Sequence, residues 1–377
     1  MAIYLDHAAT SPMREVAKQA WLEAASATNP ASQYASGRRS RSLLDQAREK
    51  VAELLGCEPI EVIFTASGTE ADNIGIIGQW RARSGGQGGR VVVSAVEHPA
   101  VLEAAKFTGS YGAAVDYLPV GPDGIVCDLT ALDTPASVAS CMWANNETGA
   151  FQPVEEVIAA AQATGTPVHI DAVQVVGKIP IDFHTLGATT LAASAHKFGG
   201  PRGVGLLLAQ RSPAPAPVIV GGGQERGIRS GTVDTAGAYA LAAALEQACA
   251  DMSEENARLK EFKRLLLGGI RSKIDDVVVH TPEQSLPSHL YVSFPGAESD
   301  SLILLLDAQG IEASAGSACH NGVNRASETL LAAGVDEATA RSTVRFSLGP
   351  TTTRADVETV LAALPEVVRR ARLAGMA

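Results

Sequence analysis

Between residues 62 and 208 the chain keeps repeating one unit: a short β-rich run, a turn of small or polar residues, then a helical pattern. The runs lie at 62–65, 91–94, 113–118, 137–142, 167–170 and 188–193, and 204–208 closes the series. Runs this short and apolar, separated by helices, fit strands buried on both faces. Their alternation predicts a mostly parallel sheet with helices on both sides. In such sheets binding residues gather at the carboxyl ends of the strands, so the turns are where chemistry should be sought.

One of these turns holds Lys197, in Ser194-Ala-His-Lys-Phe-Gly-Gly-Pro-Arg-Gly-Val-Gly205. A lysine at the end of a buried strand is costly unless its amine has a partner or a task. It is either an exposed turn residue or an amine suited to a Schiff base with a carbonyl cofactor, above all pyridoxal phosphate (PLP). Asp171 ends the run at 167–170. A buried carboxylate there would either pair with a cation, such as a protonated pyridine nitrogen, or cap the next helix. At 66–69, Ala-Ser-Gly-Thr opens a helical pattern over 70–81. Its free N–H groups and positive dipole end suit a phosphate, although an ordinary N-cap would use the same residues. His98 stands at a further strand end, just before Pro99.

After residue 208 the pattern changes. A proline-rich stretch at 212–217 precedes a glycine-rich loop at 221–232 that carries Arg226 and Arg229. A long helical pattern over 235–274 follows, read as two helices or one with a bend, and then mixed short strands and helices. With 377 residues the chain has room for a large domain over 14–250 and a smaller α+β domain formed by 1–13 and 251–377. Thirty basic residues against 41 acidic ones leave a net charge of −11, with no Lys/Arg-rich run, which argues against direct nucleic-acid binding. The first residues lack the charged and apolar regions of a signal peptide, and no apolar run reaches membrane-spanning length, so a cytoplasmic protein is expected.

The cysteines at 57, 127, 141, 249 and 319 form no C-x-x-C pair, which argues against a disulfide framework and a cysteine-based zinc site; no metal is expected. The first four fall in apolar or helical patterns and read as inert core residues. Cys319 differs. It lies in Ala313-Ser-Ala-Gly-Ser-Ala-Cys-His-Asn-Gly322, a segment without apolar periodicity, and His320 beside it could bias the thiol toward thiolate.

Across nearly its whole length the chain resembles the cysteine desulfurases of the NifS/IscS type, in the class-V branch of the fold-type I PLP enzymes. The resemblance rests on an ordered series of segments. It begins with Tyr4-Leu-Asp-His-Ala-Ala-Thr10, Phe64-Thr-Ala-Ser-Gly-Thr-Glu70, Glu97-His98, Asn145-Asn-Glu-Thr-Gly149 and Asp171-Ala-Val-Gln174. It continues with Ser194-Ala-His-Lys197, Gly221-Gly-Gly-Gln-Glu-Arg226, Arg229-Ser-Gly-Thr232, Gly316-Ser-Ala-Cys319 and Arg345-Phe-Ser-Leu-Gly349. It implies an α/β large PLP-binding domain with a mostly parallel mixed sheet flanked by helices, beside the smaller α+β domain. It also implies conversion of L-cysteine to L-alanine, with the sulfur captured as a persulfide on Cys319 and handed to an acceptor protein such as an iron–sulfur scaffold or another sulfur carrier.

The resemblance gives each matched position a role. Lys197 would carry PLP and move the Cα proton. Asp171 would meet the ring nitrogen, Asn146 and Gln174 the phenolic oxygen side, and His98 the ring face, where it would assist proton transfer. Gly68, Thr69, Ser194 and His196 would hold the phosphate, with Thr232 reaching in from the second subunit of a homodimer. Asn29 and Arg345 would hold the substrate carboxylate, and Cys319 would be the nucleophile. Other class-V chemistries, selenocysteine lyase or aminotransferase, share the cofactor residues, and an aminotransferase has no use for Cys319; a non-catalytic scaffold should have lost Lys197, Asp171 or His98. The chain departs from the family pattern at Ala66-Ser-Gly-Thr69, at Tyr34, at His320-Asn-Gly322 and at Arg325-Ala-Ser327, which bears on acceptor choice more than on the reaction.

Overall fold

This computed structural model describes residues 2–316 and 326–375. The repeating units build a seven-stranded sheet from β2 (Val62–Thr65), β3 (Arg90–Ser94), β4 (Ala114–Leu118), β5 (Val138–Ser140), β6 (Val168–Asp171), β7 (Thr190–Ser194) and β8 (Gly205–Ala209), with β1 (Ile3–Tyr4) outside it. The spatial order is β2-β8-β7-β6-β5-β3-β4. From β7 to β4 all neighbours run parallel, whereas β8 is antiparallel to both β7 and β2. The mostly parallel mixed sheet is thus as the sequence predicts. β2 returns to the common direction, so the turns after β2, β3, β5, β6 and β7 all open at one edge.

Except for the edge strand β4, where Ala114 and Tyr117 are exposed, the strands are buried on both faces, which is why they read as apolar runs and not as alternation. In β8, Leu206 and Leu208 enter the large core, while Leu207 and Ala209 pack in a smaller cluster with Ile63, Ala71 and Ile74. The helical pattern after β2 is not uniform. It runs as α-helix over Gly68–Asn73, widens to a π-turn over Ile74–Gly78, and returns to α-helix over Gln79–Ser84. Where it widens, Gly75 passes β6 so closely that a Cβ would lie 2.2 Å from His169 Nδ1, so only glycine fits there.

The predicted long helix forms as one uninterrupted element, Thr235–Lys273, capped by the Asp234 carboxylate, which accepts from Gly237 N at 3.0 Å. Its apolar face changes partner along its length. Ala238, Leu241, Leu245 and Ala248 belong to the large core, while Leu259, Phe262, Leu266 and Ile270 belong to a second core. Both groups keep helical spacing, so no bend is needed to serve two cores.

The second core lies under β9 (Val278–Val279), β10 (His289–Ser293) and β12 (Thr343–Ser347), an antiparallel sheet in which Tyr291 faces Arg345. β11 (Ile311–Glu312) pairs in parallel with β1, and Asp6 bridges to Ser347. Among the free cysteines, Cys141 is buried as expected. Cys127 is not a core residue: it is exposed, because the strand pattern ends at Leu118 and 119–127 forms a surface turn. Among the described residues, no helix is long and apolar enough to cross a membrane.

Candidate active site

The turns at the common sheet edge face β12 across a cavity of about 820 Å³. Ten of the residues singled out from sequence line it: Gly68, Thr69, His98, Asn146, Asp171, Gln174, Ser194, His196, Lys197 and Arg345. Asn29 and Thr232 are exposed and do not line it, and the Asn29 carboxamide instead accepts from Ala31 N at 2.9 Å. Cys319 lies outside the described residues.

Lys197 follows β7 in a short 3-10 turn, which lifts its side chain off the strand into the cavity. Its Nζ donates to the carbonyls of Ala8 at 2.7 Å and Ala9 at 2.9 Å. Burial, and then the Arg345 guanidinium, push the amine down to about 8 from its usual 10.5. An amine with that value is a usable nucleophile and base near neutral pH, which an ordinary lysine is not. Below that value Lys197 is mostly protonated and inert; above it the free amine dominates. Reaction of the cofactor-free protein with a small aldehyde, trapped by borohydride and read by mass spectrometry, should therefore rise at Lys197 up to about pH 8 and then level off. A rate still climbing steeply toward pH 10, as for exposed lysines, would contradict this setting.

Asp171 ends β6 with 5% exposure, and its Oδ1 accepts from Val173 N at 2.9 Å. Burial holds its carboxyl above the usual range, against which His98, the Val173 N–H and Lys197 pull it back. A cation against this carboxylate would favour its charged form. His98 caps the helix Pro99–Gly109 through Nδ1, which accepts from Ala100 N at 3.1 Å. That bond leaves the hydrogen of the neutral ring on Nε2, and burial favours the neutral form. Gly68 opens its helix beside β6 and β7; a Cβ there would meet Val173 at 2.9 Å and Ser194 at 3.2 Å. His196 Nδ1 sits 3.0 Å from Thr10 Oγ1, and burial pushes the ring down to about 4.

Arg345 comes from the other sheet. Its Nη1 donates to Asn146 O at 2.8 Å and its Nη2 to Asp6 Oδ1 at 2.6 Å. Its buried Nε has no partner among the described residues. The guanidinium is thus held in orientation with its Nε–H and its remaining Nη hydrogens still to be used, and a planar fork of this kind suits an anion.

The sequence places 1–13 in the smaller domain and Tyr4–Thr10 in the motif series, but gives no residue there a part in the site. Asp6, Ala8 and Ala9 reach it through Arg345 and Lys197, and Gln174 Nε2 also donates to Ala8 O at 3.1 Å. Asp6 stands in the Tyr4–Thr10 segment, but nothing in that segment points to its distant partner Arg345. Glu97 and Asp72 also line the cavity. Burial and then Asp171 raise Glu97 to about 8, and its Oε1 accepts from Ser140 at 3.1 Å. Asp72 lies 3.2 Å from His169 Nε2, a ring whose Nδ1 is 2.9 Å from Thr190 Oγ1. Glu97 stands in the Glu97-His98 segment without an assigned role, and no sequence signal separates Asp72 from surface acids.

Known proteins match this chain over nearly its whole length. Residues 3–360 match the family described as aminotransferase class-V. The chain is 44% identical over 386 residues to the IscS-like cysteine desulfurase of Mycobacterium tuberculosis, covering 99% of this chain and 98% of that protein. A solved NifS-like protein superposes with a TM-score of 0.90 at 34% identity, covering 98% of this chain and 100% of the other. SspA in complex with cysteine superposes with a TM-score of 0.80 at 29% identity, covering 93% and 100%.

Proposed function

Because this chain belongs to the class-V aminotransferase family, we infer that it works as the cysteine desulfurases it resembles: it converts L-cysteine to L-alanine and passes the sulfur on through a persulfide. The observation that carries this reading is the convergence of Lys197, Asp171, His98 and Arg345 on one cavity from four separate strands or strand ends.

The residues fit PLP. Asp171 is a buried carboxyl on the cavity whose charged form burial disfavours, Gly68 leaves a cradle that a Cβ would fill, and Lys197 offers an amine that burial pushes down to about 8. Bound there, the cofactor supplies a carbonyl for an amine and a ring that draws electrons away from the substrate Cα. Lys197 would hold that carbonyl and, once displaced by substrate, take the Cα proton on Nζ. Asp171 would keep the ring nitrogen protonated. The N–H groups of Gly68 and Thr69, with Ser194 and His196, would bind the phosphate, joined by Thr232 of a second subunit in a homodimer. Gln174 and Asn146 would bond the phenolic oxygen side. His98 would lie against the ring and move a proton through Nε2.

Arg345 would take the substrate carboxylate, assisted by Asn29. The Cys319 thiolate would attack the substrate sulfur. The C–S electron pair stays with the alanine fragment as the new S–S bond forms, and the persulfide sulfur then passes to an acceptor protein. Arg345→Lys tests the carboxylate site: it keeps the charge and loses the planar fork. The KM for L-cysteine should rise about tenfold to a hundredfold, with kcat much less affected. An unchanged KM would remove Arg345 from substrate binding.

A further inference from the structure

The turn that carries Asn146 does a second thing. Asn145, fully buried, donates from Nδ2 to Val96 O at 3.1 Å and to Thr329 Oγ1 at 3.3 Å. Its Oδ1 accepts from the N–H groups of Glu147 and Thr148, both at 2.9 Å. Glu147, 8% exposed, accepts the hydroxyl of Ser327. Ser327 Oγ also accepts from Leu330 N at 3.1 Å and so caps the helix Glu328–Ala332. Ala326 and Leu330 pack with the buried ring of Tyr291.

Tyr291 also meets the chain on the other side of the gap in the described residues. Its hydroxyl is 3.1 Å from Ala315 O. Gly316, at φ +88°, lies so close that a Cβ would sit 2.7 Å from the Tyr291 ring, so the position requires glycine on both counts. Gly316 and Ala326, the described residues on either side of 317–325, thus both meet Tyr291, beside Glu147 and Asn145. The residues between, 317–325, include Cys319.

A buried carboxyl is a poor choice for packing alone, because its desolvation must be offset by hydrogen bonds. Here it joins two things that must meet in the reaction: the turn beside the cofactor cavity, and the root of the segment that brings the thiol. We propose that Glu147 is a positioning residue for sulfur transfer, its bond to Ser327 fixing the downstream root of the Cys319 segment against the turn that carries Asn146. This rests on the desulfurase reading above.

The test uses the PLP-loaded enzyme and separates two reactions. Exchange of the Cα hydrogen of L-alanine in D2O reports on the cofactor site, and single-turnover persulfide formation on Cys319, read by mass spectrometry, reports on thiol delivery. Glu147→Ala should slow persulfide formation about tenfold to a hundredfold, the effect of a misplacement near 1 Å, while exchange stays within about twofold of the unmodified enzyme. Glu147→Gln retains an acceptor for Ser327 and should restore most of the rate. Ser327→Ala should reproduce the loss, and combining it with Glu147→Ala should add little; it also serves should Glu147→Ala fail to fold. Normal persulfide formation in both single variants, equal losses in both reactions, or no rescue by Glu147→Gln would overturn the inference. If the unmodified enzyme forms no Cys319 persulfide while exchanging the Cα hydrogen, the desulfurase reading itself fails and this inference fails with it.

Discussion

Lys197→Ala is expected to abolish turnover of L-cysteine within detection, a loss of at least about a thousandfold. Removing a general base alone accounts for about a hundred- to ten-thousandfold, and on the proposed reading the cofactor's covalent anchor would go with it. The prediction is specific because a second buried amine lies nearby. Burial and the charge of Lys197 push Lys178 down to about 7. Its Nζ is directed to Gln174 Oε1 at 3.5 Å, and it lines a smaller cavity behind the site, whereas Lys197 borders both. Lys178→Ala should therefore leave a measurable desulfurase rate and the visible absorbance of the lysine-bound cofactor, and Lys197→Ala should remove both. Activity near normal in Lys197→Ala, or its loss only in Lys178→Ala, would reassign the reactive amine.

Cys319→Ala is expected to stop sulfur transfer just as completely, but at a different stage. Lys197, Asp171 and Arg345 remain in place, so L-cysteine should still bind and exchange of the Cα hydrogen should persist. Without a thiolate to accept the sulfur, formation of alanine and of a protein persulfide should fall by about a thousandfold or more, as when other enzymic nucleophiles are removed. Steady-state alanine production and the exchange rate, measured side by side, check this. Alanine production that survives in Cys319→Ala would mean the sulfur leaves by another route. Together the two substitutions should divide the reaction, with the lysine expected to serve the carbon chemistry and the cysteine the sulfur.

What could be read in the sequence follows from the range of the interactions involved. β2, β3, β6 and β7 announce themselves because a strand buried on both faces must be apolar, and the residues at their ends stand out by contrast. Lys197, Asp171 and His98 were legible for that reason. The helix Thr235–Lys273 was legible as helix but not as a single element, because its apolar face serves two cores in succession and looks interrupted on paper. Contacts closed over long separations left no local trace. The Asp6–Arg345 pair spans 339 residues and the Ser327–Glu147 bond spans 180, and no periodicity links either. The state of the buried acids Glu97 and Asp72 was hidden for a related reason: burial first, and then the nearby Asp171, raise both carboxyls, and only the folded sheet supplies either.

The most direct test is to incubate the purified PLP-loaded protein with L-cysteine, quantify alanine, and determine the mass of the peptide that contains Cys319. The expected result is alanine together with one added sulfur on Cys319, lost on treatment with a thiol reductant. Alanine formed in quantity while Cys319 stays unmodified, under conditions in which persulfides survive, would contradict the account and leave a PLP site whose reaction ends elsewhere.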